Sequence, residues 1–225
     1  MDRFFDILFS GIALLLLFPL LVPLVITLRL SGEGYVFFLQ DRIGKGGEKF
    51  KLYKFATMLK NSPNIGTGTV TMRGDPRVLP LGKFLRKTKI NELPQLLNIF
   101  FGDMSIIGPR PLTTETFQAY SKSTQSLIKL VRPGLSGIGS IIFCNEEEIM
   151  HGTTASINFY ANVIAPYKGK LEEWFVSNKS LYIYFMAIFV TAWAVLIPST
   201  KIAWRVFKDL PKPPTELKQA LNYID

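Results

Sequence analysis

Polar residues are almost missing from the start of the chain. From Phe4 to Leu28 the run FFDILFSGIALLLLFPLLVPLVITL carries one charge, Asp6. At about 1.5 Å of rise per residue, a helix over this run reaches across a hydrocarbon core of about 30 Å. Pro19 and Pro23 lie inside it, and each removes a helical hydrogen bond, so a bend near Phe18–Pro19 is predicted. Two outcomes stay open on these residues: a helix that spans a bilayer, or one that enters and returns to the same face. Asp2 and Asp6 offset Arg3 and no small-residue cleavage site follows, so the run is not predicted to be a cleaved signal. Arg29, Arg42, Lys45, Lys49, Lys51 and Lys54 all come after it, which predicts that the bulk of the chain lies on the cytoplasmic side.

Beyond the run the pattern changes period. Two strands are predicted near 35–40 and 49–55, joined by the turn-rich RIGKGG. Residues 61–82 are dense in Gly, Pro, Thr and Asn and read as loop. A basic helix, KFLRKTK, follows. From Glu92 a helix places Leu93, Leu96, Leu97, Phe100 and Phe101 on one face, and Gly102 ends it. MSIIGPRPL is extended, because each proline pushes its predecessor out of helical space. A helix near 113–130 precedes VRPGLSGIGSIIF, read as a glycine-punctuated loop and strand, and NEEEIMHG opens another helix. Leu181–Ile197 is a second apolar stretch, uncharged but short for a span. Tyr182, Tyr184 and Trp193, with Lys201 and Arg205 beyond, suit a helix at the interface. The expected fold class is therefore α+β, mainly helical, with a small β element. It divides into a membrane helix over 1–30, a compact cytoplasmic domain over 31–180, an interfacial apolar helix over 181–210 and a tail over 211–225.

Charge narrows the partners. Charged residues are 19% of the chain, below the roughly 25% of soluble domains. The net charge is +9, which calls for nucleic acid, anionic lipid or a phosphorylated substrate. The basic residues accompany long apolar stretches and no nucleic-acid motif, so nucleic acid is set aside. A single cysteine, Cys144, excludes an intrachain disulfide and fits a reducing compartment. A single histidine, His151, argues against a His-rich metal site.

The chemistry concentrates in RKTKINELPQLLN, residues 86–98. Asn is among the best helix N-caps, and Glu92 and Pro94 suit a first turn, so capping alone accounts for Asn91 and Glu92. It leaves Arg86, Lys87 and Lys89 unexplained, as well as Arg110, which is held between Pro109 and Pro111. A fixed guanidinium beside a helix start makes a phosphate site. Glu92 is then placed to hold a hard cation such as Mg²⁺, bridging to substrate phosphates. Asp75-Pro76-Arg77 reads equally as an ion-paired turn or a phosphate contact. The acidic run 146–148 reads as a solvated helix start, and Glu147 with His151 makes too small a set for a metal. Cys144 reads as an inert small residue, and Gly134, Gly137 and Gly139 as servants of backbone geometry.

YKFATM, DPRVLPLGKFLRKTKINELPQLLN, GDMSIIGPRPL and VRPGLSGIGS resemble, in order and spacing, bacterial sugar transferases of the monotopic phosphoglycosyl transferase family, over about Phe4 to Ile197. The resemblance implies transfer of sugar-1-phosphate from a UDP-sugar to undecaprenyl phosphate, the first membrane step of bacterial glycan assembly, with Mg²⁺. It also implies a re-entrant N-terminal helix at the cytoplasmic face of the bacterial inner membrane. The family breaks that helix at Ser-Pro, where this chain has Phe18-Pro19. Its catalytic pair is Asp-Glu, the Asp being the nucleophile; here the pair is Asn91-Glu92, and a neutral carboxamide is a poor nucleophile. The departure leaves room for an introduced Asp→Asn substitution, for a natural variant that uses Glu92 as nucleophile or lets the acceptor phosphate attack directly, and for a catalytically silent binding or scaffold member. Lys54, Arg86 and Arg110 match phosphate-holding positions, and Glu172 stands where the family has an Asp. Ala56 and Cys144 replace family arginines, which bears on the donor.

Overall fold

The computed structural model describes residues 2–65, 75–144, 159–197 and 201–223. It is a mainly helical α+β structure with two small two-stranded sheets. The first helix, α1 (Asp2–Leu30), runs unbroken with Pro19 and Pro23 inside it. Among the described residues it is the one helix long and apolar enough to cross a membrane. Leu15, Leu16 and Phe18 on it are largely exposed. A hairpin follows, β1 (Phe37–Ile43) and β2 (Lys49–Phe55), close to the predicted strands. The chain forms two compact units. The first comprises Ile7–Gln40 and Lys51–Phe101, and the second comprises the residues up to Asp6, Asp41–Phe50 and those from Gly102 on.

In the first unit Leu28, Phe55 and Leu85 form a buried cluster, with Leu21, Leu24 and Ile90 packed against it. The predicted basic helix is α2 (Pro80–Lys87). It presses so closely on the strand exit that a Cβ at Gly82 would lie 2.1 Å from the Thr57 carbonyl oxygen. Only glycine fits there. The next helix, α3 (Gln95–Phe101), starts later than predicted, and its buried face is not the apolar face the spacing picks out. Gln95, Leu96, Asn98 and Ile99 are buried, whereas Phe100 and Phe101 are exposed. The reason is a backbone need: the Tyr53 N–H donates to Asn98 Oδ1 at 2.9 Å, and Asn98 Nδ2 donates to the Lys51 carbonyl at 2.8 Å. A buried amide that satisfies two strand groups outweighs the outward turn of two phenyl rings.

In the second unit β3 (Ser105–Ile107) pairs in parallel with β4 (Gly134–Ser136). The Gly134 N–H donates to Pro109 O at 2.8 Å, and a Cβ on Gly134 would lie 2.1 Å from the Gly108 nitrogen. This approach holds the Pro109-Arg110-Pro111 segment. The predicted helix over 113–130 is two helices, α4 (Thr114–Gln118) and α5 (Lys122–Ile128), because Ser121 caps a fresh start by accepting the Thr124 N–H. The stretch VRPGLSGIGSIIF, read as loop and strand, holds the strand β4 and then α6 (Ile138–Ile142), whose isoleucines enter the core. A π-helical turn, Tyr160–Ile164, leads into α7 (Ala165–Ser177). The second apolar stretch is α8 (Leu181–Leu196), which buries Tyr184, Ala187 and Val190 while Tyr182, Phe189 and Trp193 are exposed. Short helices α9 (Lys201–Val206) and α10 (Thr215–Lys218) close the chain. Ala203, Phe207, Leu217 and Leu221 are buried in the unit's core, so the end of the chain is less peripheral than its composition implies. At the start of α1, buried Asp6 accepts from Ser105 Oγ, the Ile106 N–H and the Tyr184 hydroxyl at 2.9–3.0 Å. The lone charge of the apolar run is an anchor.

Candidate functional site

The residues of interest fall into two groups, one in each unit. In the first unit, α2 ends at Lys87, and Lys89 takes a left-handed conformation (φ 59°) that turns the chain into a 3-10 turn, Ile90–Glu92. Asn91 is therefore inside a turn and does not cap a helix. Its side chain is 9% exposed, and its Oδ1 is buried without a hydrogen-bond partner. Such an atom costs about 1–3 kcal/mol when it stays unpaired. The capping reading is overturned on this geometry.

Glu92, next on the turn, is partly exposed and makes an ion pair with Lys54 of β2, Nζ to Oε1 3.1 Å. Arg86, in the last turn of α2, donates through Nη1 to Thr57 Oγ1 at 3.5 Å. A lysine from a strand end, an arginine from a helix end and an amide–carboxylate pair on a turn thus belong to one unit. Lys54 pairs with Glu92, and the helix end that carries Arg86 leads directly into the turn. Among the described residues no three His, Cys, Asp or Glu side chains group together. Nearby, Arg77 is used internally: it makes a bidentate pair with Asp75 at 2.6 and 2.9 Å and donates to the Ser62 and Ile65 carbonyls. Of the two readings of that turn, the ion pair is the one observed.

In the second unit Arg110 is exposed. Glu172, on α7, accepts the Arg110 backbone N–H. Glu172 is 3% exposed, and a Cβ at Gly139 would lie 2.4 Å from its Oε1. Gly137 likewise approaches the Gly108 carbonyl, so these glycines serve backbone geometry, as their spacing predicts. Burial pushes the Glu172 carboxyl up to about 7, against the opposing pull of the Arg110 N–H and of the Lys168 and Arg110 charges. Lys168 was passed over in the sequence, although it stands one helical turn before Glu172, the usual spacing for a side-chain pair. Its ammonium also lies over the rings of Phe143 and Tyr160 at 5.0 and 5.9 Å. Cys144 is exposed. The acidic run 146–148 and His151 lie outside the described residues.

A family model described as "Bacterial sugar transferase" matches residues 1–198. The chain is 34% identical over 198 residues to the UDP-N-acetylgalactosamine-undecaprenyl-phosphate N-acetylgalactosaminephosphotransferase of Aeromonas hydrophila, a match that takes in 86% of this chain and 43% of that protein. It is 32% identical over 209 residues to the exopolysaccharide production protein ExoY of Rhizobium meliloti, covering 87% and 85%. It is 38% identical over 138 residues to the UDP-glucose:undecaprenyl-phosphate glucose-1-phosphate transferase of Escherichia coli, covering 60% and 30%. The chain thus spans most of the Rhizobium protein and less than half of the other two.

Proposed function

The chain belongs to the bacterial sugar transferase family, and on that premise we propose that it transfers sugar-1-phosphate from a UDP-sugar to undecaprenyl phosphate at the cytoplasmic face of the bacterial inner membrane. The observation that carries the reading is the turn Ile90–Glu92, which buries the Asn91 amide oxygen without a partner and pairs the next residue, Glu92, with Lys54. α1 is the membrane element, and the family resemblance favours a re-entrant path over a spanning one. Labelling of single cysteines at its two ends tests this, and labels on opposite faces would end the re-entrant reading.

The donor's phosphates need cations, and Lys54 and Arg86 supply them in the first unit; Arg110 is a separate candidate in the second. Glu172 acts on substrate through Arg110, whose backbone it fixes; buried as it is, it is a positioning residue. The residues fit Mg²⁺: this ion takes one or two carboxylates and completes its shell with water and substrate phosphates. Glu92 would hold it, with Asn91 preceding it on the turn. When bound, the ion neutralises charge on the phosphates.

Asn91 cannot form the acyl phosphate that an aspartate forms. In this chain the acceptor attacks directly. A phosphate oxygen of undecaprenyl phosphate bonds to the sugar-bearing phosphorus, and the bond from that phosphorus to the bridging oxygen breaks. UMP leaves with the electron pair, and the product is a polyprenyl diphosphate sugar. Lys54 and Arg86 stabilise the charge that builds on the phosphoryl oxygens, and Glu92 remains a ligand. The test is intact-mass analysis of the folded protein with donor alone, followed by UMP release with acceptor added. Direct attack gives no phosphosugar adduct and release only with acceptor, whereas an adduct that disappears in Glu92→Gln would make Glu92 the nucleophile. Binding of donor without release across a broad panel of UDP-sugars would favour the silent binding module, which the burial of a neutral Asn91 also accommodates.

A further inference from the structure

The chain continues past residue 198, where the family match ends, and the reaction as described uses none of that tail. The tail is nevertheless built into the second unit. Phe207, Leu217 and Leu221 are buried in the same core as Tyr167 and Leu171 of α7. It is also closed on itself: Trp204 Nε1 donates to the Leu221 carbonyl at 3.1 Å, and the Trp204 ring meets Tyr223 edge-on with centroids 5.0 Å apart.

Two neighbouring rows of side chains run along α7. Tyr167, Leu171 and Trp174 repeat at the i, i+4, i+7 spacing of one helix face, and this face meets the tail. The Tyr167 hydroxyl donates to the Pro211 carbonyl at 2.7 Å, and Trp174 packs edge-on against Phe207 with ring centroids 6.0 Å apart. Pro211, Pro213 and Pro214 stiffen the stretch that supplies the acceptor. Lys168 and Glu172, each one position later, form the adjacent row, and Glu172 accepts the Arg110 backbone N–H. Its carboxyl has little slack, since a Cβ at Gly139 would lie 2.4 Å from Oε1. Successive residues of a helix are about 100° apart around its axis, so a modest turn of α7 would withdraw Glu172 from Arg110. The face that the tail grips therefore fixes the angle at which Glu172 is presented.

We propose that residues 201–223 are a positioning clasp for the transferase site: by gripping the Tyr167–Trp174 face of α7 they hold Glu172 against the Arg110 backbone and so aim the Arg110 guanidinium at substrate phosphate. The proposal rests on the reading above, in which Arg110 meets that phosphate. Tyr167 and Phe207 are positioning residues, acting on substrate only through Glu172 and Arg110.

The experiment uses the full chain in detergent and measures the Kd of UMP, with the thermal midpoint as the check on folding. Phe207→Ala is expected to weaken UMP binding about fivefold, and Phe207→Leu, which keeps most of the apolar volume, to recover it to within about twofold. A merely structural loss lowers the thermal midpoint whatever stands at position 110. A clasp works through the arginine, so in Arg110→Ala protein, itself weaker for UMP, Phe207→Ala should cost less than about a further twofold. An equal loss in both backgrounds, or an unchanged Kd in folded Phe207→Ala, overturns the clasp and leaves the transferase reading intact. If Phe207→Ala does not fold, Tyr167→Phe decides, because it removes one hydroxyl and keeps the ring. Binding weakened about threefold, with no further loss in Arg110→Ala, then supports the clasp, and unchanged binding overturns it. If the folded, unaltered chain binds no UMP, the transferase reading itself fails, and the clasp with it.

Discussion

The two units each bury an oxygen that finds no hydrogen-bond partner, Asn91 Oδ1 in one and Glu172 Oε2 in the other, and they do so with opposite chemistry. On the turn Ile90–Glu92 the buried group is neutral, and the carboxylate is kept beside it, partly exposed and paired with Lys54. Beneath Arg110 the carboxylate is itself buried, and its affinity for a proton rises. The difference teaches how position divides the work. On the proposed reading, a carboxylate that is to hold a cation must keep its charge and its access, which a place near the surface allows. One that fixes a loop can be buried, because it needs only to accept an N–H, and protonation leaves it an acceptor.

The largest expected effect breaks the neutrality of the first site. Asn91→Asp puts a carboxylate on the turn and allows the two-step displacement. UMP release with Mg²⁺ and acceptor should rise by roughly 100-fold, about 2.7 kcal/mol of barrier, and donor alone should now leave a phosphosugar on the protein by intact mass. A folded variant that gains neither would separate Asn91 from the reaction. Next comes Glu92→Gln in the unaltered chain, expected to lower acceptor-dependent release by on the order of 10²-fold, as loss of an electrostatic stabiliser does. Lys54→Met should lower it too, and if it does so with unchanged KM for donor, the lysine acts on the transition state rather than on binding.

Glu172 sharpens the comparison from the other side. Its ordinary value of 4.5 is pushed up to about 7 in the fold, so the folded state binds the proton more tightly than the unfolded chain does. Its contribution to stability is whole below about pH 4.5 and is lost as pH rises through about 7, a change of order 3 kcal/mol. Thermal midpoints measured between pH 5 and 8 should fall with pH, and Glu172→Gln should flatten that slope. A slope that persists unchanged in Glu172→Gln would place the titrating group elsewhere. The smallest effect tests the scaffold of the first unit: Asn98→Ala leaves the Tyr53 N–H and the Lys51 carbonyl without their amide and should cost about 1–3 kcal/mol by thermal or denaturant unfolding.

Legibility followed the range of the interactions. α1, the hairpin and α2 announce themselves through local composition, and the parallel strand at Ser105–Ile107 follows from prolines that forbid helix. The register of α3 does not, because Asn98 is buried to serve a strand that lies 45 residues earlier. The stretch VRPGLSGIGSIIF reads as loop and strand, and β4 is that strand, but its end is helical, the α6 isoleucines lying in a core shared with α7 and α8. For the candidate site, resemblance alone names Lys54, Arg86, Asn91, Glu92, Arg110 and Glu172. It does not give their division into a surface pair, an orphaned amide and a buried prop. Asp6 reads as a charge to be tolerated in an apolar helix; its three donors come from far along the chain.

By itself the sequence determined the membrane-directed start, the excess of positive charge and the family to which the chain belongs, since apolar length, charge and motif spacing are properties of the chain as written. Only the tertiary structure decided that Asn91 is buried and not a cap, that Lys54 reaches Glu92, and that Glu172 meets Arg110 through its backbone. Those relations depend on burial and on distances between residues remote in sequence, and no local preference encodes them.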